Sequence, residues 1–216
     1  MTGDEGHEEH GAGGPGSRAG GSEGGGVPDG VRLRAERAAD VPAVEAVVRE
    51  AFGDEGARVV RLVRALRESL AWRDLSFVAE RDGQVVGHVL LTGSWLDAPR
   101  RLVDVLVLSP LAVSPGAQGG GVGSALVRHA LDRTAGRPEP LVFLEGHPGF
   151  YPRFGFVPGG ERGFRPPSER IPAAAFQVLV RERHEGWMTG ALAYADPFWR
   201  WDCVGLRAPE EAPGRD

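Results

Sequence analysis

The chain has no lysine: all 25 of its basic residues are arginine. That removes two chemistries. The phosphate-binding loop of nucleoside triphosphatases closes on Gly-Lys-Ser/Thr, and pyridoxal phosphate enzymes hold their cofactor as a lysine Schiff base. Cysteine is almost as scarce, for Cys203 stands alone among 216 residues, so no internal disulfide can form and a reducing compartment is expected. No apolar run reaches the length of a signal peptide core or a membrane span, so the expectation is a cytoplasmic protein with no membrane attachment. An excess of basic charge is missing too. Outside the first thirty residues 24 basic side chains face 24 acidic ones. Nucleic-acid binding needs a clustered basic excess, so no nucleic-acid partner is expected.

What the first thirty residues do contain is glycine, twelve of the 33 in the chain, and acid. Asp4, Glu5, Glu8, Glu9, Glu23 and Asp29 against Arg18 account for the whole formal charge of −5. Only Met1 and Val27 are apolar and larger than alanine, so residues 1–30 read as a disordered acidic tail that cannot bury enough surface to offset chain entropy. The run His7–His10, HEEH, lacks the spacing of a zinc-binding helix, and no metal site is expected. One domain is expected over 31–205, with a core over 31–180, an extension over 181–205 and a flexible end at 206–216.

The order of elements is that of a mixed α/β sheet covered by helices. VRLRAE alternates as a short strand, and Asp40 offers an N-cap ahead of Pro42. Val44, Val47, Val48 and Ala51 give the helix that follows one apolar face, ended by Gly53. In a second helix Val59, Leu62, Val63, Leu66 and Leu70 keep the 3.6-residue period while Arg58, Arg61, Arg64 and Arg67 form a solvated face. Asp82-Gly83 marks a hairpin turn between two strands. RLVDVLVLSPLAV reads as a central strand, in which Pro110, lacking an N–H, forces a bulge or a break in pairing. A glycine run then feeds a helix that ends near Gly136. PLVFLEG is a buried strand, HPGFYPRF a short helical or turn segment, and AFQVLVRE a late strand.

The glycine run, Gln118-Gly-Gly-Gly-Val-Gly-Ser124, carries the chemistry. It fails the dinucleotide fingerprint, because Leu126 or Ser124 falls where the third glycine should be. What remains suits an anion. First-turn amides of a helix have no intrahelical acceptor, the helix dipole adds partial positive charge there, and bare glycines let phosphate oxygens approach. The competing reading is a loop bent for packing alone.

LAVSPGAQGGGVGSALV, followed about thirty-five residues later by FYPRFGF, resembles the GNAT superfamily of N-acetyltransferases. Gln118, Gly121 and Gly123 match the family's Gln/Arg-x-x-Gly-x-Gly/Ala core, Leu111, Val113 and Pro115 match the preceding strand end, and Tyr151 sits in the Phe-Tyr-x-x-x-Gly-Phe element. The element order agrees from about Val31 to Val180. The resemblance implies a GNAT-like acyl-CoA acyltransferase fold, with two parallel strands splayed around the coenzyme and helices on both faces. It implies acetyl-CoA as cosubstrate, bound by Leu111, Ala112, Val113, Gln118, Gly119, Gly120, Gly121, Val122, Gly123 and Ser124. An amine acceptor, direct attack in a ternary complex and a homodimer fit the same family.

By the same resemblance Tyr151 is the general acid that protonates the coenzyme sulfur. Glu145 and His147, at the end of the next strand, are base candidates; Glu80 and His88 on the hairpin are further ones. Arg153 is read as held by packing or by an acidic neighbour, or as touching the adenosine phosphate. Cys203 lies far from both motifs in sequence and reads as an inert thiol. Trp187, Phe198, Trp199 and Trp201 either seal a sheet edge or dimer contact, or line an acceptor pocket. A non-catalytic acyl-CoA sensor is the alternative from another functional class.

Overall fold

The structure, a computed structural model, describes residues 26–206. Except for 26–30 and Leu206, the acidic tail, its HEEH run and the expected C-terminal end lie outside the described residues. The strands are β1 (Val31–Ala35), β2 (Leu75–Arg81), β3 (Gln84–Asp97), β4 (Leu102–Val113), β5 (Leu141–Glu145), β6 (Val157–Pro158), β7 (Phe164–Arg165), β8 (Phe176–Val180) and β9 (Gly190–Ala193). The helices are α1 (Val41–Phe52), α2 (Gly56–Arg67), α3 (Val122–Arg133) and the short α4 (Asp196–Arg200).

Among the described residues one sheet runs β1-β2-β3-β4-β5-β8-β6, and β9 joins it by pairing with β3 and β7. β4 and β5 are parallel and every other pair on the main path is antiparallel. Alternation along β5 shows both faces buried. Leu141 and Phe143 pack with α1, α2 and the C-terminal residues Leu192, Tyr194 and Phe198. Val142 and Leu144 pack with Val122, Leu126 and Ala130 of α3. The extension expected to follow the core is therefore woven into it.

The local signals act largely as the sequence suggests. Asp82 and Gly83 both take positive φ, 51° and 76°, and close the hairpin with Arg81 opposite Gln84. Asp40 precedes α1, but its carboxylate accepts the Arg37 N–H at 2.7 Å and so closes the preceding 3₁₀ turn instead of capping the helix. Opposite Pro110 the β3–β4 register slips, with Leu91 facing Leu108 but Val89 facing Leu111. Two residues of β4, Ser109 and Pro110, thus oppose the single Leu90, which is the bulge expected of a residue with no N–H.

Two expectations for α2 need correction. Leu70 lies beyond the helix, which ends at Arg67, and is 97% exposed. The arginines are not uniformly solvated, since Arg61 and Arg64 are exposed while Arg58 and Arg67 are only partly so, and all four have partners. Arg64 pairs with Glu45 at 2.5 Å, Arg58 pairs with Glu55 and Asp202, Arg61 lies over the Trp201 ring, and Arg67 reaches the buried Glu36 at 2.5 Å. Periodicity separates apolar from polar faces but does not reveal partners supplied by other elements.

Glu36 also receives the Ser76 hydroxyl and lies 3.4 Å from Nε2 of the fully buried His88. Burial alone would raise the Glu36 carboxyl, but hydrogen bonds from His88 and Ser76 and the Arg67 charge together hold it below its usual range. Burial pushes His88 down against the pull of Glu36, and its Nδ1 has no partner among the described residues. A neutral ring donating from Nε2 accounts for both facts. The sign follows from linkage. A folded pKa below the unfolded one means that the unfolded chain takes up the proton first as pH falls, so this contribution is present above about pH 6.5 and is lost below it. Urea unfolding of wild type and His88→Gln between pH 7 and pH 5 tests this: wild-type stability should fall more steeply, by up to about 1.4 kcal/mol per pH unit, and parallel slopes would refute it.

Candidate functional site

β4 and β5 pair only at Leu106–Val142 and Val107–Phe143. Beyond those pairs β4 continues to Val113, past the bulge, while β5 turns its other edge to β8 and runs to Glu145. The two strands part. On one edge Leu111, Ala112 and Val113 remain paired with Val89, His88 and Gly87, while among the described residues no strand covers the edge facing the gap.

After β4 the chain makes a 3₁₀ turn at Pro115–Ala117 and enters α3 through Gly121, at φ 82°. Gly119 also has positive φ, 75°, a conformation that side-chain-bearing residues rarely adopt. Among the described residues no carbonyl accepts from the amides of Gly119 to Ser124; the first bond of the helix is Ala125 N–H to the Gly121 carbonyl at 3.0 Å. These donors open onto a cleft of about 810 Å³ lined by Leu111, Val113, Gln118, Gly119, Gly121, Val122, Gly123, Ser124, His147, Phe150 and Arg153. Ala112 points away, buried on the α1–α2 side, and Gly120 is not in the lining. The Gln118 amide donates to the Val113 carbonyl at 3.0 Å, so this side chain ties the loop to the strand end instead of reaching into the cleft.

Tyr151 opens the 3₁₀ segment Tyr151–Phe154. Its ring lies against Gly146 at the end of β5, where an added Cβ would sit 2.4 Å from the Tyr151 Cε2, so only glycine permits the contact. It packs edge-on against Phe150 and Phe156. Its hydroxyl has no hydrogen-bond partner among the described residues, and burial pushes the phenol up to about 12.

Glu145 and His147 are separated by the fold. Glu145 follows the alternation of Phe143 onto the α1–α2 face, where it lines a small cavity with Phe52, Pro110, Tyr194, Phe198 and Cys203. Burial raises its carboxyl above the usual range, opposed in part by the Gly205 N–H at 3.3 Å and the Arg170 charge. His147 is exposed in the glycine cleft, and its Nδ1 accepts the Gly149 N–H at 3.1 Å. Phe52 lines both spaces, so they adjoin across the gap. Glu80 accepts Arg34, and with His88 in its own buried network neither faces the cleft. Arg153 lies over the Phe150 ring and donates to the Gly149 carbonyl at 3.3 Å.

Cys203, distant in sequence, arrives beside Glu145; burial raises its thiol, which suits an unreactive wall. The aromatic residues divide. Phe198 is buried and stacks on Tyr194, and Trp187 packs against the core under Arg100 and Arg101, whereas Trp199 is 45% exposed. Nothing local in the sequence marks Phe52 or the Gly205 amide; both reach the site through long-range packing. Among the described residues no cluster of three metal-ligating side chains occurs, and no helix is long and apolar enough to cross a membrane.

A sheet whose parallel pair parts at a bulge, followed by a glycine turn with free amides at a helix start, is the architecture of an acyltransferase. Residues 72–158 match the Acetyltransferase (GNAT) domain. The chain is 34% identical over 163 residues to YjhQ of Escherichia coli (strain K12), named an uncharacterized N-acetyltransferase, covering 73% of this chain and 88% of that protein. Among solved structures, the GNAT family N-acetyltransferase YhbS of Escherichia coli in complex with CoA has TM-score 0.69 at 30% identity, over 79% of this chain and 92% of that one. A GNAT family acetyltransferase of Brucella melitensis in complex with acetyl-CoA has TM-score 0.62 at 29% identity, over 78% and 97%. The chain belongs to the GNAT family of N-acetyltransferases and is an acyltransferase.

Gly123 sits in the cleft wall with an ordinary helical backbone, and an added Cβ would meet nothing closer than 3.6 Å. Gly123→Val should therefore fold normally but fill the cleft. With acetyl-CoA at about 100 times its Kd, wild type should gain about 2.7 kcal/mol, seen as a raised Tm, and the variant should gain almost none. An equal rise in both would place the coenzyme elsewhere.

Proposed function

We propose that the chain transfers acetyl from acetyl-CoA to a primary amine by direct attack in a ternary complex. The observation that carries this reading is the row of unclaimed amides from Gly119 to Ser124 beside the uncovered edge of β4. The diphosphate would take those N–H groups at the positive end of α3, and the backbone of Leu111 to Val113 would hold the pantetheine arm in the gap. The two complexed relatives support acetyl-CoA as the donor. The lone Cys203 suits a reducing cytoplasmic setting.

In this reading the two faces of β5 divide the proton work. Glu145, on the α1–α2 face, takes a proton from the incoming ammonium and leaves a neutral nitrogen. As that nitrogen bonds to the acyl carbon, the carbon–sulfur bond breaks and the electron pair leaves with sulfur; the nitrogen then sheds its second proton to solvent, from which the Tyr151 phenolate left by proton donation is reprotonated. Backbone N–H groups on the free edge of β4 stabilise the oxyanion. Tyr151, on the α3 face, donates to the departing sulfur. The apolar surroundings that raise the phenol raise a thiolate in the same place as well, so proton donation stays matched. An unpartnered hydroxyl beside the end of β5 is free for this role.

Tyr151→Phe should lower coenzyme release by about 10²-fold or more while acetyl-CoA still raises Tm, and full activity in the variant would remove the tyrosine from the mechanism. The base must be ionised, and burial raises Glu145, so the acid limb of kcat/KM should lie above the ordinary glutamate value of about 4.3. Glu145→Gln should lose about 10²-fold and that limb; an unchanged profile would assign the base elsewhere.

A further inference from the structure

The small cavity around Glu145 has a volume of about 170 Å³ and is walled on its far side by the C-terminal segment. Tyr194 and Phe198 stack at 4.6 Å, Cys203 and Gly205 follow, and Phe52 and Pro110 add apolar surface to a lining that Glu145 and Ser109 make partly polar. Among the described residues Glu145 is its only carboxylate, and no cationic side chain lines it. Arg58 and Arg170, whose charges reach Cys203 and Glu145, are turned to Asp202, at 3.6 and 3.4 Å. Arg170 holds the segment a second time, because its carbonyl accepts the Leu206 N–H at 3.1 Å.

Resting on the acetyl-transfer reading, we infer that this cavity is the acceptor chamber and that it selects compact, apolar primary amines bearing a single charge, with Phe198 as the residue that sets the size limit. The volume is close to that of an apolar protein cavity, about 150 Å³, that takes up benzene, so it admits one ring or a branched alkyl group. One carboxylate answers one ammonium, and the Tyr194–Phe198 pair adds aromatic surface that favours a cation. Amino acids are excluded because no cation is present to receive their carboxylate. Polyamines and aminoglycosides would bring further charges to a space that offers one carboxylate, beside Phe52, Tyr194 and Phe198, at an unrepaid desolvation cost. Gly205 acts as a positioning residue, since its N–H holds one oxygen of Glu145.

Two readouts test this on the full chain. Initial rates of coenzyme release are measured with benzylamine, isobutylamine, spermidine, an aminoglycoside and a tripeptide. The first two should exceed the others in kcat/KM by about tenfold or more, within the 10–200-fold that a fitted apolar group supplies. Phe198→Leu, a conservative change in a buried position, should move the preference about tenfold towards naphthylmethylamine relative to benzylamine, with Tm reporting that the fold is kept. Independently of turnover, Cys203 is the chain's one thiol, so its labelling by methyl methanethiosulfonate can be followed by mass. Benzylamine at ten times its Kd should slow labelling about elevenfold.

Faster turnover of the tripeptide or spermidine, no reaction with any amine of the panel while acetyl-CoA raises Tm, or labelling indifferent to benzylamine would each overturn the inference. Protection of Cys203 by benzylamine together with a Tm insensitive to acetyl-CoA would overturn the acetyl-transfer reading and leave the amine chamber standing.

Discussion

The separation of β4 from β5 is the constraint around which the protein is arranged. A parallel pair that opens inside a fold exposes backbone N–H and C=O groups that ordinarily must be satisfied. Here the opening is imposed from two sides. Pro110 contributes no N–H and sits in a bulge against Leu90, while β8 claims the far edge of β5 from Leu141 to Glu145. Neither strand can drift back, because α3 packs on one face and α1 with α2 on the other. The gap is thus a rigid feature whose polar edge is left for a ligand to satisfy.

Around that gap the chain keeps its two kinds of polarity apart. Donors without acceptors gather at the start of α3, where the helix dipole reinforces them, and carry no formal charge. Glu145, the proposed base, lies across β5 beside Phe52, Tyr194 and Phe198. Another buried acid, Glu36, is neutralised by Arg67 and tied to Ser76 and His88, so it stiffens the β1–β2–β3 side of the sheet. Glu36 has a guanidinium partner, whereas Glu145 is held by the Gly205 backbone amide and a more distant arginine, which is why the proposed mechanism gives the proton transfer to Glu145.

The parts of this arrangement that were legible in the sequence are those encoded by local chemistry. Asp82-Gly83, Pro110 and the run from Gly119 to Ser124 each act through their own backbone, so hairpin turn, bulge and glycine turn could be read residue by residue. Side-chain partners could not. Arg67 meets Glu36 across 31 positions and Gly205 meets Glu145 across 60, and no periodicity carries such pairings. Leu70 kept the helical period yet fell outside the helix, because Ser69 turns its hydroxyl back to the Leu66 carbonyl and the chain leaves the axis. Cys203 looked remote for the same reason that Phe52 went unnoticed: both reach the site by packing, which a single sequence does not display.

The weaving of the last strand and helix into the sheet carries a consequence for the life of the molecule. Among the residues of the fold, β9, α4 and the turn to Gly205 leave the ribosome last, yet they furnish one wall beside Glu145. A chain synthesised as far as α3 already has the glycine turn but not this wall, so in our reading the places for coenzyme and amine are completed at different points of synthesis.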